Sequence, residues 1–191
     1  MKKIFNKNKK KILNIFNSLS YDKNFDILCK KSIEAIKSNK KIIFFGNGGS
    51  AADAQHLATE LTCKFKKKRK ALPGLALTTD SSALTAIGND FGFRYIFSRQ
   101  IEAIGNLGDI AIAITTSGNS PNLIEAIKSA KKMRIITFCF SGNKGGKLKK
   151  FVQYPIIIKS KETDILQIAE IAIGQIYCSI LENFFSKNEK N

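Results

Sequence analysis

His56 and Glu60 stand four residues apart, so they project from one face wherever the chain between them is helical. An imidazole beside a carboxylate can hold a metal ion or move a proton, and the same spacing also produces plain surface ion pairs. Two observations favour chemistry: His56 is the only histidine in the chain, and it lies two turns beyond the loop Gly46-Asn47-Gly48-Gly49-Ser50. Glycines serve where backbone must turn sharply or let a ligand approach, and a helix beginning near Ser50 presents free N–H groups there. Such a loop suits an anionic or polyhydroxyl ligand. It is neither the dinucleotide fingerprint G-x-G-x-x-G nor a P-loop, because no Gly-Lys-Ser/Thr follows.

A second loop carries Thr115, Thr116, Ser117, Gly118, Asn119 and Ser120, with Pro121 near the first turn of the helical pattern that follows. An ordinary cap accounts for one hydroxyl. Four hydroxyls around one glycine at a helix N-terminus are the chemistry of a phosphate cradle that has no need of lysine. In the last helical segment Gln167, Glu170 and Gln175 interrupt an apolar surface, and Gln167 lies within about 80° of both others on a helical wheel. They are either satisfied core groups or site residues.

The elements that must position these groups alternate. Strands are expected at Ile42–Phe45, Gly74–Thr79, Asp109–Thr115, Arg134–Phe140 and Tyr154–Lys159. Between them lie the helix after Ser50, a helical turn or two breaking at Gly88-Asn89-Asp90 and Gly92, a short helix over Phe97–Ile104, and the helix after Pro121. This is an α/β fold with a doubly wound parallel sheet, whose ligands sit beyond the carboxyl ends of the strands, so the two loops should meet in one crevice. Two amphipathic helices occupy residues 1–40, the α/β core 41–160 and a long helix 161–186. The N-terminal pair either covers the sheet or packs on another subunit. The last helix is apolar nearly all round, which argues for packing in an oligomer.

At 191 residues and 43% hydrophobic content the chain is expected to form one domain. No apolar run reads as a membrane span and the N-terminus does not read as a signal peptide, which points to the cytoplasm. Cys29, Cys63, Cys139 and Cys178 are scattered, as reduced packed thiols are. The net charge of +17 is spread along the chain, densest at Lys64–Lys70 (KFKKKRK), with no nucleic-acid motif beside it. It reads as a solvated surface; nucleic-acid binding is not expected as function, beyond non-specific binding at low salt.

Together GNGGSAADAQHLATEL, TAIGNDFGF, TTSGNSPN and the final helix with Gln167 resemble the phosphoheptose isomerases (sedoheptulose-7-phosphate isomerases) of the sugar-isomerase (SIS) domain superfamily, in order from Lys40 to Glu182. The resemblance implies a five-stranded flavodoxin-like sheet and a homotetramer with active sites at subunit interfaces. It also implies interconversion of sedoheptulose 7-phosphate and D-glycero-D-manno-heptose 7-phosphate, supplying heptose for lipopolysaccharide or capsule. It puts Asn47, Gly48, Gly49, Glu60, Asn89, Asp90 and Gln167 on the sugar, and Thr115, Thr116, Ser117 and Ser120 on the phosphate. Zinc would rest on His56, Glu60, Gln167 and the residue at 175, with Glu60 also the base.

The departures lie in the last helix. Gln175 stands where the family has a histidine that serves as zinc ligand and acid–base partner, and Ile168 and Glu170 stand where it usually has glutamate and histidine. An amide cannot shuttle a proton near neutral pH, and one His, one Glu and two Gln make a poor zinc set. The expectation is an isomerase, slowed. The alternative is a non-catalytic tetramer that binds a sugar phosphate or a replication initiator, as one relative in the superfamily does that also lacks the last-helix histidine. A third reading is an isomerase for another sugar phosphate. The retained Glu60 favours an enzyme.

Overall fold

Ile42, Ile43, Phe44 and Phe45 follow one another with no polar residue between them, and each is completely buried. Only a strand covered on both faces can hide every side chain of such a run. In the computed structural model, which describes residues 1–19 and 21–187, it is the second strand of a five-stranded sheet, all parallel, in the order β2-β1-β3-β4-β5. The elements are α1 (Lys2–Ser18), α2 (Lys23–Lys37), β1 (Ile42–Gly46), α3 (Gly49–Thr62), β2 (Gly74–Ala76), α4 (Ser81–Asp90), α5 (Ser98–Ile104), β3 (Ile110–Thr115), α6 (Pro121–Lys132), β4 (Ile136–Ser141), β5 (Tyr154–Ile157) and α7 (Thr163–Lys187).

Alternate residues of each strand feed two cores. Ile42, Phe44, Ile110, Ile112, Phe138 and Phe140 pack with α2, α3 and α7 on one face. Ile43, Phe45, Ala111, Ala113 and Cys139 pack with α5 and α6 on the other. The doubly wound sheet expected from the alternation of elements is therefore present.

Several boundaries differ from the sequence reading for local reasons. β2 stops at Ala76 instead of Thr79, because the Thr79 hydroxyl donates to the Ala76 carbonyl (3.1 Å) and that of Thr78 to Ala51 (3.3 Å), turning the chain. α4 runs unbroken through Gly88 to Asp90, its start fixed by Asp80 accepting from Ala83 N–H at 2.9 Å. The basic run 64–70 is not uniformly solvated, since the Arg69 side chain is wholly buried.

The N-terminal helices divide the two options between them. α2 covers the sheet through Phe25, Leu28, Cys29 and Ala35. α1 buries only Ile15, against Ile158 and the start of α7, and leaves Ile4, Phe5, Leu13 and Phe16 exposed. By length and composition alone α7 is able to cross a membrane, against the expectation that no apolar run reads as a span. Here it lies in the protein, with Leu166, Ala169, Tyr177, Cys178 and Leu181 buried and Ile176 and Ile180 outward.

At the amino ends of the strands Asp109 is fully buried and accepts from the backbone N–H of Lys41 (3.0 Å) and Asn106 (2.8 Å) and from Lys41 Nζ (2.6 Å). Asp109→Ala leaves these donors without their acceptor and is expected to lower stability by roughly 2–4 kcal/mol in urea unfolding.

Candidate active site

β1 and β3 are neighbours, yet the helix after β1 packs on one face of the sheet and the helix after β3 on the other. Where the chain leaves two adjacent strands in opposite directions a crevice opens beyond their carboxyl ends. The glycine loop Asn47–Gly49 and the hydroxyl loop Thr115–Ser120 stand on either side of it, as expected. A reciprocal amide pair ties them: Asn47 donates to Asn122 at 3.0 Å and Asn122 donates back at 2.8 Å. Asn122 Oδ1 also accepts from the Leu123 N–H at 3.0 Å, so the buried amide is held on both sides. Sequence reasoning missed Asn122; the signal was an amide in the first turn of a helix whose neighbours are apolar.

Within the hydroxyl loop the four hydroxyls play different parts. That of Thr115 is buried and accepts from the Gly118 N–H (3.2 Å), shaping the loop from inside. Ser117 Oγ accepts from Asn119 N–H (3.2 Å), while Ser120, the residue before α6, makes no capping bond with its side chain. Gly118 has φ +64°, and a Cβ there would run into the Gly145 carbonyl. The segment around residues 142–148 buttresses the loop through Leu148 N–H to Gly118 (2.8 Å) and Lys147 N–H to the Asn119 side chain (3.0 Å).

α3 and α7 run side by side in the same direction, joined where Gly174 packs on Leu57. His56 Nε2 lies 3.0 Å from Glu60 Oε1, as the spacing required. Gln175 Nε2 lies 3.0 Å from the same imidazole nitrogen and 3.5 Å from Glu60 Oε1. Gln167 sits two turns earlier on α7, its amide so close to Gly49 that a Cβ there would collide with it. The structure thus gathers His56, Glu60 and Gln175 into one cluster and brings Gln167 to the glycine loop. Asn89 and Asp90 are exposed at the end of α4 and bond to each other (2.8 Å); among the described residues no hydrogen bond ties them to this cluster.

Glu170 is 1% exposed and neither of its carboxylate oxygens has a partner at bonding distance; Asp53 Oδ2 is likewise buried and unpaired. Burial first, then the Asp53 charge, push the Glu170 carboxyl up to about 8, with Ser50 offsetting part of the rise. Burial also raises Asp53, partly offset by His56.

As a zinc site the cluster is a poor fit. Among the described residues no three His, Cys, Asp or Glu side chains stand together to hold a metal. His56 and Glu60 are zinc donors, but Gln167 and Gln175 offer only amide oxygens, weak ligands for zinc.

A model of the SIS domain family matches residues 8–142. The phosphoheptose isomerase of Aquifex aeolicus is 51% identical over 148 residues, 78% of each chain. Phosphoheptose isomerase 1 of Campylobacter jejuni is 48% identical over 160 residues, 84% of each. Among solved structures, a phosphoheptose isomerase from Neisseria gonorrhoeae superposes with a TM-score of 0.88 at 32% identity, covering 94% of this chain and 98% of that one. One from Francisella tularensis gives 0.87 at 29%, covering 95% and 96%.

The unpartnered Glu170 makes stability depend on pH. Its carboxyl holds a proton more tightly folded than unfolded, so its contribution is full below the ordinary 4.5 and is lost as pH rises towards about 8. Glu170→Gln, which mimics the protonated acid, is expected to stabilise the protein by roughly 2–4 kcal/mol at pH 8 and hardly at all at pH 4. Thermal melts of both proteins across that range measure the difference.

Proposed function

The chain belongs to the SIS domain family and, within it, to the phosphoheptose isomerases, and we propose that Glu60 is the base with which it interconverts sedoheptulose 7-phosphate and D-glycero-D-manno-heptose 7-phosphate. An aldose–ketose shift moves one proton between neighbouring carbons and one between their oxygens. Glu60 takes the proton from the carbon beside the carbonyl, leaving an enediol, and returns it to the neighbouring carbon. The observation that carries the reading is the retained carboxylate, 3.0 Å from the chain's single imidazole on the helix that grows out of the glycine loop.

The other roles follow from position. Thr116, Ser117, Ser120 and the N–H groups opening α6 receive the phosphate, with Thr115 bracing the loop. Asn47, Gly48, Gly49 and Gln167 line the sugar end, and Asn89 and Asp90 complete it. Gln175 orients a substrate hydroxyl but moves no proton, so the oxygen-side transfer runs through water or His56, at a loss on the order of 10²–10⁴-fold against a chain with a general acid there.

We propose further that the enzyme works as a homotetramer in the cytoplasm. The outward apolar residues of α1, together with Ile176 and Ile180 beside Gln175, support a second subunit covering the site's flank. The free cysteines, three of them buried with thiols pushed up to about 12 by burial, suit a reducing compartment.

Incubation with sedoheptulose 7-phosphate in deuterated water tests the base. Deuterium uptake beside the carbonyl and aldose formation are expected by NMR, both lost in Glu60→Gln; a protein that binds the sugar phosphate yet exchanges no proton overturns the reading. Gln175→His supplies a third strong donor, and is expected to raise zinc affinity at least about tenfold in equilibrium dialysis.

A further inference from the structure

The basic run after α3 contains one residue that is not on the surface. Arg69 has a side chain with no solvent exposure, and its guanidinium turns back onto the helix it follows. Nη2 donates to the carbonyl of Glu60 itself at 2.6 Å, and Nη1 donates to the carbonyls of Leu61 (2.9 Å) and Lys70 (3.0 Å). The last carbonyls of a helix have no partner within it, and a cation placed there also meets the negative end of the helix dipole.

Glu182 of α7 faces the same guanidinium, its Oε1 3.6 Å from Arg69 Nε, and it too is buried. It accepts from the backbone N–H groups of Phe65 and Lys66, each at 2.8 Å. Seven residues earlier on α7, a spacing that returns to the same helix face, is Gln175, whose amide reaches Glu60 Oε1. The circuit is closed. The Glu60 carboxylate meets α7 through Gln175, and the Glu60 carbonyl meets α7 through Arg69 and Glu182.

We propose that Arg69 and Glu182 are positioning residues for the isomerase reaction: they lock the last turn of α3 against α7 and so fix where the Glu60 carboxylate stands. The inference rests on the reading of Glu60 as the base. Neither residue faces the crevice loops. A proton transfer from carbon tolerates little misplacement, whereas phosphate affinity depends on a loop on a different helix.

The fork geometry supplies the test. Lysine at 69 keeps the charge but not the planar fork that spans two carbonyls, and Glu182→Gln keeps the shape but weakens the ion pair. In Arg69→Lys and Glu182→Gln, shown folded by circular dichroism at the assay temperature, kcat for sedoheptulose 7-phosphate is expected to fall on the order of tenfold or more. KM and inhibition by inorganic phosphate should stay within about twofold, since the phosphate loop is untouched. In Arg69→Ala, millimolar guanidinium is expected to restore part of kcat; if that variant does not fold, Arg69→Lys carries the test. Unchanged kcat in both folded variants overturns the proposal, as does a loss of phosphate affinity in step with kcat, which marks a general structural role. Glu60→Gln as active as the parent sinks the base assignment instead.

Discussion

A parallel sheet covered on both faces has no room for polar chemistry except at its ends. Every side chain of Ile42–Phe45 is hidden between two helical layers, so whatever the chain does to a sugar phosphate must happen where β1 and β3 stop. The two loops at that edge begin from registers fixed by strand pairing, and the Asn47–Asn122 amide pair joins them directly. The gap between the two loops is thereby set by sheet geometry before their other side chains contribute.

The carboxylate proposed as the base stands on a helix. α3 grows out of the glycine loop and carries Glu60 nearly to its end, where a free helix terminus would fray. α7 prevents this by lying alongside for its whole length, with Gly174 letting Leu57 in close. The same seam contains Glu170, a carboxyl in a place where no group satisfies it. Stability is given up there; at the other end of the seam Arg69 donates to the last carbonyls of α3 and Glu182 accepts from two backbone N–H groups, while Arg69 Nε makes no hydrogen bond of its own. Glu182 shows the contrast: burial raises its carboxyl, yet the N–H groups of Lys66, Lys67 and Phe65 together with Arg69 outweigh that and hold it below the ordinary value.

How much of this could be read beforehand follows from which signals are local. The strands were legible because continuous apolar runs bounded by glycine have few other uses, and their parallel pairing followed from alternation with helices. The His56–Glu60 pairing was legible because four residues on a helix fix a direction. Gln175 against Glu60 was suggested only through the family resemblance, since nothing local says that α3 and α7 are parallel neighbours. Arg69 was illegible: embedded among lysines, it shares their composition, and only the return of the chain after α3 separates its environment from theirs. Glu170 looked like either a site residue or a satisfied core group, and it is buried without being satisfied.

α3 and α6 begin at the same edge of the sheet from opposite faces, so both direct their positive ends into one opening, on a chain whose surface carries a net +17. A dianionic sugar phosphate is therefore drawn in before it is recognised by shape, and a neutral sugar of the same outline is not. Capture by such a field weakens as dissolved salt shortens its range, to about 8 Å at physiological ionic strength. Attraction of an anionic ligand and sensitivity of that attraction to the ionic surroundings are thus two aspects of one arrangement of helices.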